Sequence, residues 1–144
     1  MSIEVLDDLR AQGFPVFAGA TGENLTTEGL VYSQIRFGDR LRVGDALIEI
    51  TRMRRPCETL SVYGTGIQAA IYDERVKAGD PASPRWGKSG FYAKVLEPGR
   101  VRPNDIISVE HMTAREEQSE QMRVRENEAG RSNAVGSIAK PQGA

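Results

Sequence analysis

The sequence predicts a mainly β protein with minor α, built as a small β-barrel or strongly bent sheet carrying one or two helices. Three observations carry that prediction. Polar and apolar residues alternate through Arg40-Leu41-Arg42-Val43 and again from Ala46 to Met53, with Gly44-Asp45 between the two runs. Glycine accepts positive φ at the first central position of a tight hairpin, so the pair reads as the turn of a β-hairpin. Helical spacing, by contrast, is confined to two short stretches.

The elements follow in order. Val5, Leu6 and Leu9 lie at helical spacing between Ile3 and Gln12, and Gly13 is a suitable stop. Phe14-Pro15-Val16-Phe17 reads as extended, and Asn24 to Gly29 as a polar turn region. The hairpin of residues 40–53 comes next. Ile67, Ala70 and Ile71 give helical spacing between Gly66 and Lys77. Phe91-Tyr92-Ala93-Lys94-Val95-Leu96 is a strand, and Glu97-Pro98-Gly99-Arg100 has Pro and Gly where a type II turn wants them. The link Val101 to Asn104 leads to a last strand at Asp105-Ile106-Ile107-Ser108-Val109.

Composition bounds the function. The chain has 144 residues, a length suited to one domain, with a formal charge of −1 and a mean hydropathy of −0.44. The near-zero charge supplies no global attraction to nucleic acid or to acidic membranes. No apolar run approaches the ~20 residues of a membrane span. The acidic start Met1-Ser2-Ile3-Glu4-Val5-Leu6-Asp7-Asp8 lacks the basic and apolar regions of a secretory signal, and the single cysteine, Cys57, has no internal partner. A cytoplasmic location is the default expectation. After Glu110 the composition changes: residues 111–144 hold no aromatic residue and few aliphatics. The expected organisation is a domain over 1–110 and a polar, disordered tail over 111–144, with a frayed helix around Arg115 to Gln121.

Cys57 is the first chemical candidate. It follows Arg52-Met53-Arg54-Arg55-Pro56, just past a predicted strand end. Nearby positive charge favours thiolate, the form that attacks or ligates a metal, whereas Glu58 favours the thiol. A buried structural cysteine is the alternative. Arg36, Arg40, Arg42, Arg52, Arg54 and Arg55 are the second candidate. Strand pairing can gather guanidinium groups for phosphate or carboxylate, or leave them on a solvated face with Asp39, Asp45 and Glu49. The third is the loop Gly19-Ala20-Thr21-Gly22-Glu23-Asn24-Leu25-Thr26-Thr27-Glu28-Gly29, which either presents N–H groups and hydroxyls to an anion or is an ordinary surface loop.

Two leads close. Gly87-Lys88-Ser89 is not the end of a phosphate-binding loop, because Ala82 stands where that motif needs glycine and Pro81 and Pro84 break its context. His111 is the sole histidine, which excludes a histidine-based triad and a zinc site with several histidines.

Taken together, Gly22-Glu23-Asn24-Leu25-Thr26-Thr27-Glu28-Gly29-Leu30, Gly38-Asp39-Arg40-Leu41-Arg42-Val43-Gly44, Pro56-Cys57, Gly87-Lys88-Ser89-Gly90-Phe91-Tyr92 and Val95-Leu96-Glu97-Pro98-Gly99 resemble the MOSC domain, the C-terminal domain of molybdenum cofactor sulfurase. The resemblance covers roughly residues 14–110 in order. It implies a β-barrel-like fold with a cysteine at its pocket. Because members extend further ahead of the matched segment, it also implies a barrel incomplete at its N-terminal side, with exposed edges.

The resemblance further implies binding of the molybdenum cofactor (molybdopterin), with Cys57 as metal ligand and catalytic residue. Arg54, Arg55 and Lys88 would meet the cofactor phosphate, and Gly22, Glu23, Asn24 and Thr26 would form the pocket loop. In the reductase branch such enzymes reduce N-hydroxylated compounds with electrons from a separate reductase. The alternative is a sulfur carrier whose Cys57 takes a persulfide from a pyridoxal-phosphate cysteine desulfurase. A third is a non-catalytic binding domain that homo-oligomerises to cover its edges.

Overall fold

The computed structural model describes residues 1–110 together with Met122 and Arg123. Residues 1–110 form one unit. The helix expected around Arg115 to Gln121 and His111 lie outside the described residues; of the tail only Met122 and Arg123 are described, both exposed.

The chain opens with helix α1, Ile3–Ala11. Ser2 caps it, its hydroxyl accepting from the Val5 N–H at 3.3 Å. Leu6 and Leu9 fall on one face and are buried. With Met1, Val16, Leu60, Ile67 and Ile71 they form the first of three core clusters. A short parallel bridge from Ser2 to Thr27 ties the helix start to the following loop.

Strands β1 (Arg40–Val43), β2 (Ala46–Met53), β3 (Phe91–Glu97) and β4 (Ile107–Glu110) make an antiparallel four-stranded sheet in the order β3-β2-β1-β4. The protein is thus mainly β with minor α. Among the described residues the sheet is open rather than closed, with β3 and β4 as edges. The hairpin falls where the alternation put it: Val43 opposes Ala46, and Gly44 between them takes φ +54°. A side chain at Gly44 would also strike the Asp105 carboxylate and the Arg100 carbonyl, so both backbone handedness and space demand glycine there.

Cross-strand pairing gives the sheet two unlike faces. Leu41 opposes Ile48 and Val109, Ile48 opposes Val95, and Val43 opposes Ile107, which makes one face apolar. The opposite face carries ion pairs: Arg40 to Glu49 at 3.4 Å, Lys94 to Glu49 at 2.7 Å, and Arg42 to Glu97 at 2.8 Å and to Glu110 at 3.0 Å. Ile35, Leu41, Val43 and Ile50 form the second core cluster on the apolar side.

Two local expectations change. The helical stretch before Lys77 is two short helices, α2 (Ile67–Ile71) and α3 (Glu74–Lys77). Tyr72 is extended and Asp73 starts a new helix by accepting the Val76 N–H at 2.8 Å, so a side-chain cap competes successfully with helix continuation. The type II turn at Glu97-Pro98-Gly99-Arg100 is absent, because Gly99 does not take the positive φ that turn requires. Its glycine serves close approach instead: a Cβ there would lie 2.3 Å from the Asp45 carbonyl carbon. The segment after β3 runs flat over the hairpin, and the Asp45 N–H donates to the Arg100 carbonyl at 3.0 Å.

Candidate functional site

The end of β2 and the Gly19–Thr27 loop meet at Arg54. Its backbone N–H donates to the Gly90 carbonyl at 2.9 Å, which extends the β2–β3 ladder by one step. Its guanidinium donates from Nη1 to Thr21 Oγ1 at 3.1 Å and from Nη2 to the Thr21 carbonyl. Thr21 is 3% exposed, and its hydroxyl donates onward to Glu23 Oε2 at 2.8 Å.

Glu23 organises the loop. Its carboxylate also accepts from the Gly19 N–H at 2.8 Å, the Thr21 N–H at 3.2 Å and the Thr26 hydroxyl at 3.1 Å. Burial pushes this carboxyl up, but the donors from Gly19, Thr21 and Thr26 together hold it below its ordinary value.

This loop walls a cavity of about 590 Å³ over the apolar sheet face. Gly22, Glu23, Asn24 and Arg54 line its polar side, and Ile48, Ile50 and Val95 its apolar floor. Tyr32 also reaches it, its hydroxyl accepting from Thr27 Oγ1 at 3.0 Å, and burial pushes the Tyr32 phenol up. A second cavity, about 800 Å³, lies between the same loop and the Val101–Ile107 link.

Cys57 lines neither cavity. From Arg54 to Cys57 exposure alternates: Arg54 and Pro56 are half-buried, Arg55 and Cys57 exposed. Arg54 is turned to the loop, and Arg55 and Cys57 are left exposed. Cys57 then precedes a 3-10 turn, Glu58–Tyr63, at φ −87° and ψ 154°. Its thiol lies below the usual thiol range. The Thr59 hydroxyl is the largest cause, followed by the N–H of Thr59, with the Glu58 N–H adding to it, while burial and the Glu58 charge oppose it. The sulfur makes no capping hydrogen bond to the turn, so these dipoles act as polar neighbours rather than as tight ligands. The thiolate preference thus rests on turn dipoles, where the sequence pointed to arginine charge.

The remaining candidates disperse. Arg40 and Arg42 are engaged in the ion pairs of the outer sheet face. Arg52 stacks on the Tyr92 ring at 4.8 Å and Arg36 on the Trp86 ring at 5.8 Å. Lys88 pairs with Asp8 of α1 at 2.9 Å. Arg55 has no ion pair among the described residues. Of the eight residues singled out from sequence, Gly22, Glu23, Asn24 and Arg54 gather at the first cavity and Asn24 and Thr26 at the second. Sequence reasoning missed Thr59 and gave Thr21, within the Gly19–Gly29 loop, no role of its own. Both carry short hydroxyls beside a candidate residue, a signal visible only once the loop and the turn have formed. Among the described residues no group of three or more His, Cys, Asp or Glu side chains is gathered to hold a metal. No helix among them is long and apolar enough to cross a membrane.

The chain is similar in sequence to two curated proteins and in fold to solved structures. It is 33% identical over 89 residues to the uncharacterized protein YflK of Bacillus subtilis, an overlap of 62% of this chain and 36% of that protein. To protein YiiM of Escherichia coli it is 33% identical over 94 residues, covering 63% and 38%. The crystal structure of YiiM from Escherichia coli superposes with a TM-score of 0.55 at 26% identity, over 78% of this chain and 53% of that one. YiiM from Geobacillus stearothermophilus gives 0.55 at 28% identity, over 80% and 54%. The chain spans less than two-fifths of the length of the curated relatives it matches and about half that of the solved ones. The family model for the MOSC domain matches residues 1–108, and the chain belongs to the MOSC domain family.

Proposed function

We propose that this chain presents Cys57 as the single protein ligand to the metal of a bound molybdenum cofactor, in a domain that reduces N-hydroxylated compounds. One observation carries the reading: an exposed thiol of lowered pKa stands two residues after Arg55, an exposed guanidinium that has no ion pair among the described residues. The residues fit the group in kind. A soft thiolate suits a metal already bound by sulfur, and with no other ligands gathered among the described residues Cys57 suits a cofactor that brings its own metal coordination. Arg55 would meet the anionic end of the cofactor. The Gly22–Thr26 segment would wall the neighbouring space.

When bound, the cofactor supplies two-electron chemistry: with two electrons from a separate reductase and two protons, an N–OH bond becomes N–H plus water. Cys57 would hold that group in place, and the Thr59 hydroxyl, which lowers the thiol's pKa, would favour the ligating thiolate. Metal analysis of protein purified from a host that makes the cofactor tests the reading. Molybdenum near one per chain is expected, and its loss in Cys57→Ala. A molybdenum-free wild type overturns it.

The position of Cys57 outside both cavities favours a second reading, sulfur carriage. There the thiolate attacks the outer sulfur of a persulfide on a pyridoxal-phosphate cysteine desulfurase. A new S–S bond forms at Cys57, and the donor cysteine leaves as its thiolate. Intact mass after incubation with desulfurase and cysteine reads this out as one added sulfur that Cys57→Ala does not take up.

A further inference from the structure

We infer that Arg54 is a positioning residue, whose guanidinium clamps the Gly19–Thr27 loop to the end of β2 and so sets the cavity wall, without itself meeting an anionic ligand. The inference rests on the proposed function only in that the loop belongs to the same site.

Arg54 is half-buried, and two of its nitrogens are engaged by one residue, the hydroxyl and carbonyl of Thr21. A guanidinium offers paired donors in one plane, and a hydroxyl and a carbonyl of the same residue match that fork. Gly22, at φ +77°, lies against the same group: a Cβ there would be 3.7 Å from Arg54 Nη2. The contact continues through Thr21 Oγ1 to Glu23, and from Glu23 to Gly19 and Thr26. A single chain of donors and acceptors therefore runs from the strand end to both ends of the loop. An anion taken through these two donors would have to displace Thr21, leaving a 3%-exposed residue with a broken carbonyl bond. Arg55, one residue on and exposed, has no such commitment.

Amide exchange by NMR tests this without molybdenum or Cys57, so its failure and that of the proposed function are distinguishable. The Gly19 and Thr21 amides report the loop, and the Ile50 amide, bonded to the Asp39 carbonyl at 2.9 Å, reports the sheet. Arg54→Lys and Arg54→Gln should each speed loop exchange about tenfold while Ile50 is unchanged, because neither offers the paired donors. Arg55→Gln should change none of the three. Millimolar guanidinium should restore loop protection in Arg54→Ala. Wild-type loop protection in Arg54→Lys, where charge alone is kept, overturns the inference, as does loosening by Arg55→Gln. Should the Arg54 variants disturb the sheet, Thr21→Val, which removes the hydroxyl that relays Arg54 to Glu23 and keeps the carbonyl, must still speed exchange at Gly19; unchanged exchange there overturns the inference. Finally, inorganic phosphate titrated into the wild type should leave the Arg54 Nε–H resonance in place. A saturable shift of that resonance with loss of loop protection would mean that Arg54 is an anion ligand.

Discussion

The indole N–H of Trp86 donates to the carbonyl of Ile35 at 2.8 Å, a buried bond between residues 51 apart in sequence. It joins the cluster of Met53, Val76 and Trp86 to the one that contains Ile35 under the sheet. Phe37 and Phe91 pack their rings on the same indole, at centroid distances of 5.2 Å and 6.3 Å. The Trp86 side chain therefore ties the loop before β1 to the turn before β3.

Trp86→Phe should keep most of the ring packing but remove one of two donors to the Ile35 carbonyl, leaving the bond from Arg36 Nη1 at 3.0 Å. The loss of one net hydrogen bond costs about 0.5–1.5 kcal/mol. Urea unfolding followed by circular dichroism is the check, and a midpoint equal to wild type would contradict the bond's contribution.

Gly99→Ala should destabilise through space rather than handedness. The new methyl would sit 2.3 Å from the Asp45 carbonyl carbon and 2.6 Å from the Ala46 nitrogen, so the hairpin and the overlying segment must separate. Overpacking of this kind costs about 1–3 kcal/mol. Gly13→Ala is the contrast: nothing lies within 4 Å of a Cβ there, and only its φ of +95° resists substitution. Gly99→Ala should lower the thermal midpoint more and also shift the amide resonances of Asp45 and Ala46.

Alkylation of Cys57 should persist to lower pH than that of an ordinary thiol. Its pKa is lowered, so at any given pH near neutrality more of it is thiolate, and the rate should fall only as pH drops through the lowered value. Thr59→Val removes the largest cause and should move the midpoint of the iodoacetamide rate profile upward. A midpoint indifferent to Thr59→Val would show that the hydroxyl does not act on the sulfur.

The loop should loosen in acid. Glu23 has its carboxyl held below the ordinary value in the folded chain, so it stabilises the loop above the unfolded value. That contribution is lost as pH falls through the lowered folded value. Glu23→Gln should show fast exchange at the Gly19 and Thr21 amides at neutral pH and little further change on acidification. Wild-type exchange should approach the variant's only at low pH.

Local pattern made the strands, the hairpin and the first helix legible. Arg40–Val43 and Ala46–Met53 lie where period-two alternation set them, because one sheet face is apolar and the other is ion-paired. Capping by Asp73 and the flat approach of Gly99 were not legible, since each depends on what lies opposite in space. The same division runs through the site. The sequence by itself determined which chemistry is present: one thiol, a run of arginines and a loop of Gly, Thr and Asn. Only the tertiary structure decided how they divide, with Arg54 turned onto Thr21, Lys88 onto Asp8, and Arg55 and Cys57 left to solvent. The physical reason is that a side chain's type is fixed by the sequence, while its partner is set by which backbone segments the fold brings within a few ångströms.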